Sequence, residues 1–239
     1  MTGVSRGLLL AVAAIALAIP LAACADSQGG AGPTTPSADD RSGTADAARA
    51  EGSGEAEDGI EGVALPEPLE KPDVTLVDAA GEPWSLREET DGHLTFLFFG
   101  YTSCPDICPV HMANLTSVFD RLPSTVTDRI RVVFVSTDPA RDTPERMAEF
   151  MSAFDEDFVG VTGDLEDVAA TMRALDLPEP VHEEPDDSGF YEVGHPAQLI
   201  AFTPDDDLAR YAYPWGKRQQ DFMHDIPELL ARDAALGDG

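Results

Sequence analysis

The stretch Leu94-Thr-Phe-Leu-Phe-Phe-Gly100-Tyr-Thr-Ser-Cys104-Pro-Asp-Ile-Cys108-Pro109 sets the fold class and the chemistry together. Residues 94–100 are a short run of aromatic and aliphatic side chains closed by a glycine, the pattern of a buried strand. Pro105 and Pro109 are tolerable only near a helix N-terminus, and Leu115, Val118, Phe119 and Leu122 then recur at i, i+3, i+4 and i+7. A helix is therefore expected to run to about Leu122, with both thiols at or inside its first turn. On such a helix a spacing of four puts two Cα atoms about 6 Å apart on one face, within disulfide range. Unpaired backbone N–H groups and the helix dipole favour thiolate over thiol there, and two thiolates select Cu(I) or Zn over hard cations. The segment is an address for thiol chemistry or a soft metal. Buried structural cysteines are the bland alternative, but unreactive cysteines seldom sit between prolines at a strand-to-helix corner.

Outward from this corner the chain alternates strand and helix patterns. Residues 74–77 and 84–86, joined through Gly81, read as a small hairpin ahead of the main strand, and Ile130–Ser136 reads as a second buried strand. Thr143-Pro144-Glu145 starts a helix whose Met147, Phe150, Met151 and Phe154 share one face. A short strand at 158–161 precedes a helix marked by Leu165, Val168, Ala169 and Met172. Residues 198–202 and 209–213 then form a hairpin around the turn at 204–207. A last helix from about Lys217 turns Phe222, Met223, Ile226, Leu229 and Leu230 inward, with Pro227 expected to kink or restart it. A parallel βαβ pair, an antiparallel hairpin and a terminal helix give an α/β, thioredoxin-like fold: a central mixed sheet flanked by helices, with an N-terminal β-hairpin extension.

The first third of the chain reads differently. Arg6, an uncharged run over residues 7–23 and small residues before Cys24 describe a secretory signal peptide over residues 1–23 rather than a spanning helix. Leu21-Ala-Ala-Cys24 resembles a bacterial lipobox, which would make Cys24 the lipidated first residue of the mature protein on the extracytoplasmic face of the membrane. Residues 24–66 are Gly, Ala, Ser, Thr, Pro, Asp and Glu with almost no large apolar side chain, too little to offset the entropy of ordering. They read as an acidic tether, leaving residues 67–236 as one domain with a sizeable core. With 45 acidic against 15 basic residues and a net formal charge of −30, a nucleic-acid partner is excluded, and so is direct attraction to an anionic membrane. Cys104 and Cys108 are the only thiols left once Cys24 is lipidated, and export permits their oxidation.

Two thiolates leave copper needing at least one further donor, and imidazole suits it. Among five histidines, His93 lies at the far end of the cysteine-bearing strand, His224 is on the terminal helix and His182 is in an acidic loop. His111 completes Cys104-x3-Cys108-x2-His111, a metal-like spacing, but on a helix it faces solvent equally well. His195 is the best candidate, in a loop directly ahead of the strand at 198–202, which in a thioredoxin-like fold abuts the cysteine corner.

Gly100-Tyr-Thr-Ser-Cys104-Pro-Asp-Ile-Cys108-Pro109, Ser136-Thr-Asp138-Pro-Ala-Arg141-Asp142-Thr-Pro144 and the late His195 come in the order found in the Sco (SenC-type) copper chaperones, which residues 70–232 resemble. The resemblance implies a membrane-tethered, thioredoxin-fold protein that binds one copper ion, Cu(I) or Cu(II), through Cys104, Cys108 and His195. It also implies a role in assembling the CuA centre of cytochrome c oxidase, with the oxidase subunit carrying that site as partner. Gly194 and Pro196 depart from the family's usual Asp before the histidine and Ser or Thr after it, removing a carboxylate that could orient the imidazole. Asp138, Arg141 and Asp142 read first as an Arg–Asp pair fixing a loop and second as a redox-tuning patch. The competing function is an enzyme, an extracytoplasmic thiol–disulfide oxidoreductase using Cys104 and Cys108 to reduce the oxidase cysteines; a noncatalytic scaffold would need neither thiols nor histidine.

Overall fold

The computed structural model describes residues 59–236, with side chains as far as residue 231. The expected signal peptide over residues 1–23, Cys24 and residues 24–58 of the expected tether lie outside them. In chain order the described elements are β1 (Val63–Glu70), β2 (Thr75–Asp78), β3 (Pro83–Ser85), α1 (Leu86–Glu89), β4 (Leu94–Gly100), α2 (Ile107–Phe119), α3 (Ser124–Thr127), β5 (Ile130–Ser136), α4 (Pro144–Met151) and β6 (Val159–Thr162). They continue with α5 (Leu165–Ala174), β7 (Val181–His182), β8 (Val193–Gly194), β9 (Leu199–Phe202), β10 (Leu208–Tyr213) and α6 (Gln219–Leu236).

Eight strands form one mixed sheet in the order β1-β10-β9-β4-β5-β6-β2-β3, and β7 and β8 pair separately. At its centre β4 and β5 run parallel in unbroken register from Leu94 opposite Ile130 to Gly100 opposite Ser136. Every residue of β4 is buried. A strand covered on both faces needs apolar side chains at every position, which is why this run shows no polar alternation. Phe96, Phe98, Val132 and Phe134 point to one face, against Met112, Leu115 and Val118 of α2, Met147 of α4 and Phe222, Ile226 and Leu229 of α6. Leu97, Phe99, Val133 and Val135 point to the other, against Val168 and Met172 of α5 and the β2–β3 hairpin's Leu76 and Trp84. Each such fully buried side chain contributes about 1.5–3 kcal/mol. This is the thioredoxin-like arrangement the element pattern predicts.

Three features correct or refine the pattern. The expected boundary between tether and domain at 66/67 falls inside β1, and order begins earlier: Ile60 is buried in the core, and Val63 already pairs with Ala212. Pro66 and Pro68 hide this edge strand from a pattern reading; it forms by pairing with β10, with a register shift between Ala64 and Leu69 that accommodates them. Leu165 heads α5 exposed, and the buried stripe of that helix is Val168, Ala169 and Met172. Pro227 sits inside α6, which continues through it instead of restarting. Ile226 before it and Leu229 and Leu230 after it are buried, so packing on both sides holds the helix across the missing N–H.

Candidate metal centre

At the C-terminal end of β4 the chain leaves the sheet and folds back. The Gly100 carbonyl accepts the Thr137 N–H at 2.7 Å, closing the end of the β4–β5 pair. Gly100 is required here by space. A Cβ on it would lie 2.8 Å from Cys108 Sγ, 2.9 Å from the Phe98 ring and 3.1 Å from the Phe134 ring. The turn that follows is braced by Asp142, a fully buried carboxylate that accepts the Thr102 N–H at 3.0 Å, the Thr102 hydroxyl at 2.6 Å and the Ser136 hydroxyl at 2.6 Å.

The helix begins at Ile107, so only Cys108 lies in its first turn. The expectation that both thiols lie at or inside that turn is corrected for Cys104, which sits three residues ahead of Ile107, in the connecting turn. Pro105 explains the delay, because the residue before a proline is pushed out of helical conformation. The two sulfurs meet nonetheless: the Cys108 N–H points at Cys104 Sγ at 3.5 Å, and both thiols are free. Cys104 is half-buried and Cys108 buried.

His195 comes from the opposite side, in the loop between β8 and β9. Its Nε2 lies 3.6 Å from Cys108 Sγ, and one ligand atom from each of Cys104, Cys108 and His195 lies within 4.8 Å of the others. Its Nδ1 is 3.0 Å from the Pro196 carbonyl, which can only accept; Nδ1 therefore carries a proton, and Nε2 is left facing the sulfurs. Gly194 raised the question of what orients this imidazole without a neighbouring carboxylate, and the Pro196 carbonyl does so. The rings of Phe98 and Tyr101 meet the imidazole edge-on at 5.9 and 5.7 Å.

The electrostatics of the pair are unequal. The Cys108 thiol donating to it holds Cys104 down at about 3, against the opposing effect of burial and with further help from His195 and the N–H groups of Cys108 and Asp106. Cys108 is pushed far above the ordinary thiol range because its proton serves Cys104, and burial and the adjacent negative charge act in the same direction. In the metal-free reduced protein the two sulfurs thus share one proton, held on Cys108. Burial raises Tyr101 to about 12, keeping it a neutral phenol.

The other histidines stand apart from this cluster. His111 is buried on α2 with Nε2 donating to the Ala197 carbonyl at 2.9 Å, and burial keeps its pKa below the usual value. His93 bonds the Asp91 carbonyl at 2.7 Å, and His224 pairs with Asp225 at 2.9 Å. His182, on β7, lies 3.7 Å from a carboxylate oxygen of the buried Asp138. Asp138 also pairs with Arg141 and accepts the Tyr191 hydroxyl at 2.9 Å, while the Arg141 guanidinium stacks 3.5 Å from the Tyr191 ring centre. The expected Arg–Asp pair therefore involves Asp138, and Asp142 serves the cysteine turn instead. Neither the bracing by Asp142 nor the bond of His111 was legible in the sequence, since each depends on a partner forty or more residues away.

The family model described as SCO1/SenC matches residues 65–231 of this chain. A Stutzerimonas stutzeri protein provisionally named as copper-binding is 35% identical over 144 residues, which is 60% of this chain and 69% of that protein. Matches to several other curated relatives span 42–57% of their own length. Among solved structures, copper-bound ScoI of Bradyrhizobium japonicum aligns with a TM-score of 0.59 at 26% identity, covering 70% of this chain and 100% of that one. Apo Sco1 of Thermus thermophilus aligns at 0.63 and 29% identity, covering 72% and 97%.

Proposed function

The chain belongs to the SCO1/SenC family, and from that premise we propose that it carries one copper ion on Cys104, Cys108 and His195 and helps assemble the CuA centre of cytochrome c oxidase. Sco proteins bind copper and are linked to assembly of that oxidase. The observation that carries the reading is the convergence of two sulfurs and one imidazole nitrogen within 4.8 Å, supplied by two separate segments of the chain at one end of the sheet. Two soft thiolates and an imidazole suit copper in either oxidation state better than any hard cation. In this reading residues 1–23 are a signal peptide, Cys24 carries lipid, and residues 24 to about 58 tether the domain to the extracytoplasmic face of the membrane.

The chain's own groups divide the work. Cys104, half-buried and held as a thiolate, is the sulfur an incoming ion meets first. Cys108 releases its proton when it becomes the second ligand, and His195 turns Nε2 toward the sulfurs while Nδ1 is held by the Pro196 carbonyl. Copper leaves by ligand exchange that begins at Cys104, the sulfur more accessible to a partner's thiolate. The test is a Cu(I) titration of the reduced protein against a chromogenic chelator, beside His195→Ala. One tight equivalent that depends on His195 is expected; unchanged affinity in the variant defeats the three-ligand site.

One observation favours a second reading. A thiolate at Cys104 beside a buried Cys108 thiol is also the arrangement of a thiol–disulfide oxidoreductase. That activity does not need His195, so rapid disulfide exchange without tight copper binding would select the enzyme.

A further inference from the structure

The loop bearing His195 is held at two points, each two residues from the imidazole. On one side Val193 is buried and pairs with His182 across the β7–β8 ladder. On the other, His111 Nε2–H donates to the Ala197 carbonyl at 2.9 Å. The helix that supplies the buried sulfur of Cys108 also supplies this second fastening, through His111 three residues on. His111 is held rigidly. It is buried on α2, one turn beyond Cys108 and on the same face, with its ring between Phe98 at 5.0 Å and Trp215 at 4.9 Å. Phe98 in turn meets the His195 ring, and Leu199 just beyond the loop pairs with Phe98 across β4 and β9. Between the β8 pair and the β9 pair only residues 195–198 are left without a strand partner.

From this geometry we propose that His111 is a positioning residue: a strut built into the helix of Cys108 that fixes the backbone of the His195 loop and so sets the separation of His195 Nε2 from Cys108 Sγ. His111 is not a ligand, and its Nε2 is committed to Ala197. Its contribution is to preorganise the third donor, whose distance from the metal must be right to about 0.2 Å. The proposal rests on the three-ligand reading of the site.

The test is a double-mutant cycle on the reduced full-length protein, reading Cu(I) affinity by chelator competition. His111→Phe keeps the ring volume and loses the donor, and should weaken binding about 10-fold or more. His111→Gln keeps an N–H donor and should recover most of that loss. In a His195→Ala background His111→Phe should change nothing further, because the strut acts through His195. In the metal-free protein, His111→Phe should also speed backbone amide exchange at His195, Ala197 and Gln198, followed by NMR. If His111→Phe does not fold, His111→Met, a second side chain without the donor, takes its place. Wild-type affinity in the donorless variant, no recovery with Gln, or the same loss in both backgrounds overturns the strut. If instead His195→Ala alone binds like the wild type, the three-ligand reading fails first, and that result is visible before His111 is touched.

Discussion

Gly100→Ala inserts one methyl group where β4, α2 and β5 meet, and its consequence follows from distances. The new Cβ would lie 2.8 Å from Cys108 Sγ, where ordinary contacts begin at about 3.5 Å, a shortfall of about 0.7 Å. Gly100 is fixed between paired strands, so the sulfur must give way, together with the Phe98 ring at 2.9 Å and the Phe134 ring at 3.1 Å. Overpacking of this kind costs about 1–3 kcal/mol. In a domain of this size each kcal/mol lowers Tm by about 2–4 °C, giving a fall of about 2–12 °C. A sulfur displacement of about 0.7 Å also exceeds the roughly 0.2 Å tolerance of metal–ligand bonds, so Cu(I) affinity should fall about 10- to 100-fold. Gly194→Ala is the matched control: it adds the same methyl beside His195, where the nearest atoms, both of Val181, are 3.7 Å away. Calorimetry and chelator competition on both variants decide the matter. If Gly100→Ala melts and binds copper like the wild type, or Gly194→Ala falls as far, the steric reasoning is refuted.

Three further outcomes are expected. Cys104 has its pKa lowered to about 3 from about 8.5 in an unfolded chain, and a lowered acid adds stability that is complete above the unfolded value and lost as pH falls through the folded one. The reduced, metal-free protein should therefore gain more stability between pH 5 and pH 8 than Cys104→Ser does in denaturant titrations, since Cys108 keeps its proton in both states over that window; equal gains would contradict the assignment of the thiolate. Asp142→Asn turns an amide NH2 toward the Thr102 and Ser136 donors inside the protein and should cost about 1–3 kcal/mol, seen as a lower calorimetric Tm, and an unchanged Tm would remove Asp142 as the brace of the cysteine turn. Asp225→Ala strips the acceptor from the Glu61 and Gly62 N–H groups and from the Tyr213 hydroxyl. It should cost about 2–4 kcal/mol and expose the segment around residues 59–63 to proteolysis, whereas protection equal to wild type would contradict the anchoring role.

How far the sequence could be read depended on whether a feature carries its own signal. β4 and β5 announced themselves to the residue because a strand buried on both faces is apolar at nearly every position. The N-cap of α4 was equally plain, with the Thr143 hydroxyl accepting the Arg146 N–H. Cys104 and Cys108 stood out through their spacing and prolines, and the place of His195 ahead of β9 followed from the layout of the fold. What stayed hidden was relational. β1 is made by β10, not by its own proline-broken pattern, and β7 and β8 are two-residue pieces whose pairing lines up Val181 with Gly194 beside the imidazole. The spacing of His111 suggested a ligand, yet its Nε2 is engaged by the Ala197 carbonyl, which no local pattern encodes. Asp142 looked like an ion-pair partner, and only the fold brings Thr102 and Ser136 to it.

The direction of β1 carries a last consequence. β1 runs antiparallel to β10 and so to β4, in register along the row Val63–Ala212, Ala212–Ile200, Ile200–Leu97, and its N-terminus points to the end where the thiols open. At about 4.8 Å per strand, the chain joins the domain about 14 Å to one side of β4, beside the mouth of the site and not behind it. Asp225 rivets that junction by accepting the Glu61 and Gly62 N–H groups. A pull applied to the chain at Gly59 would therefore act on the domain off-centre, toward the end that carries the two sulfurs and the imidazole.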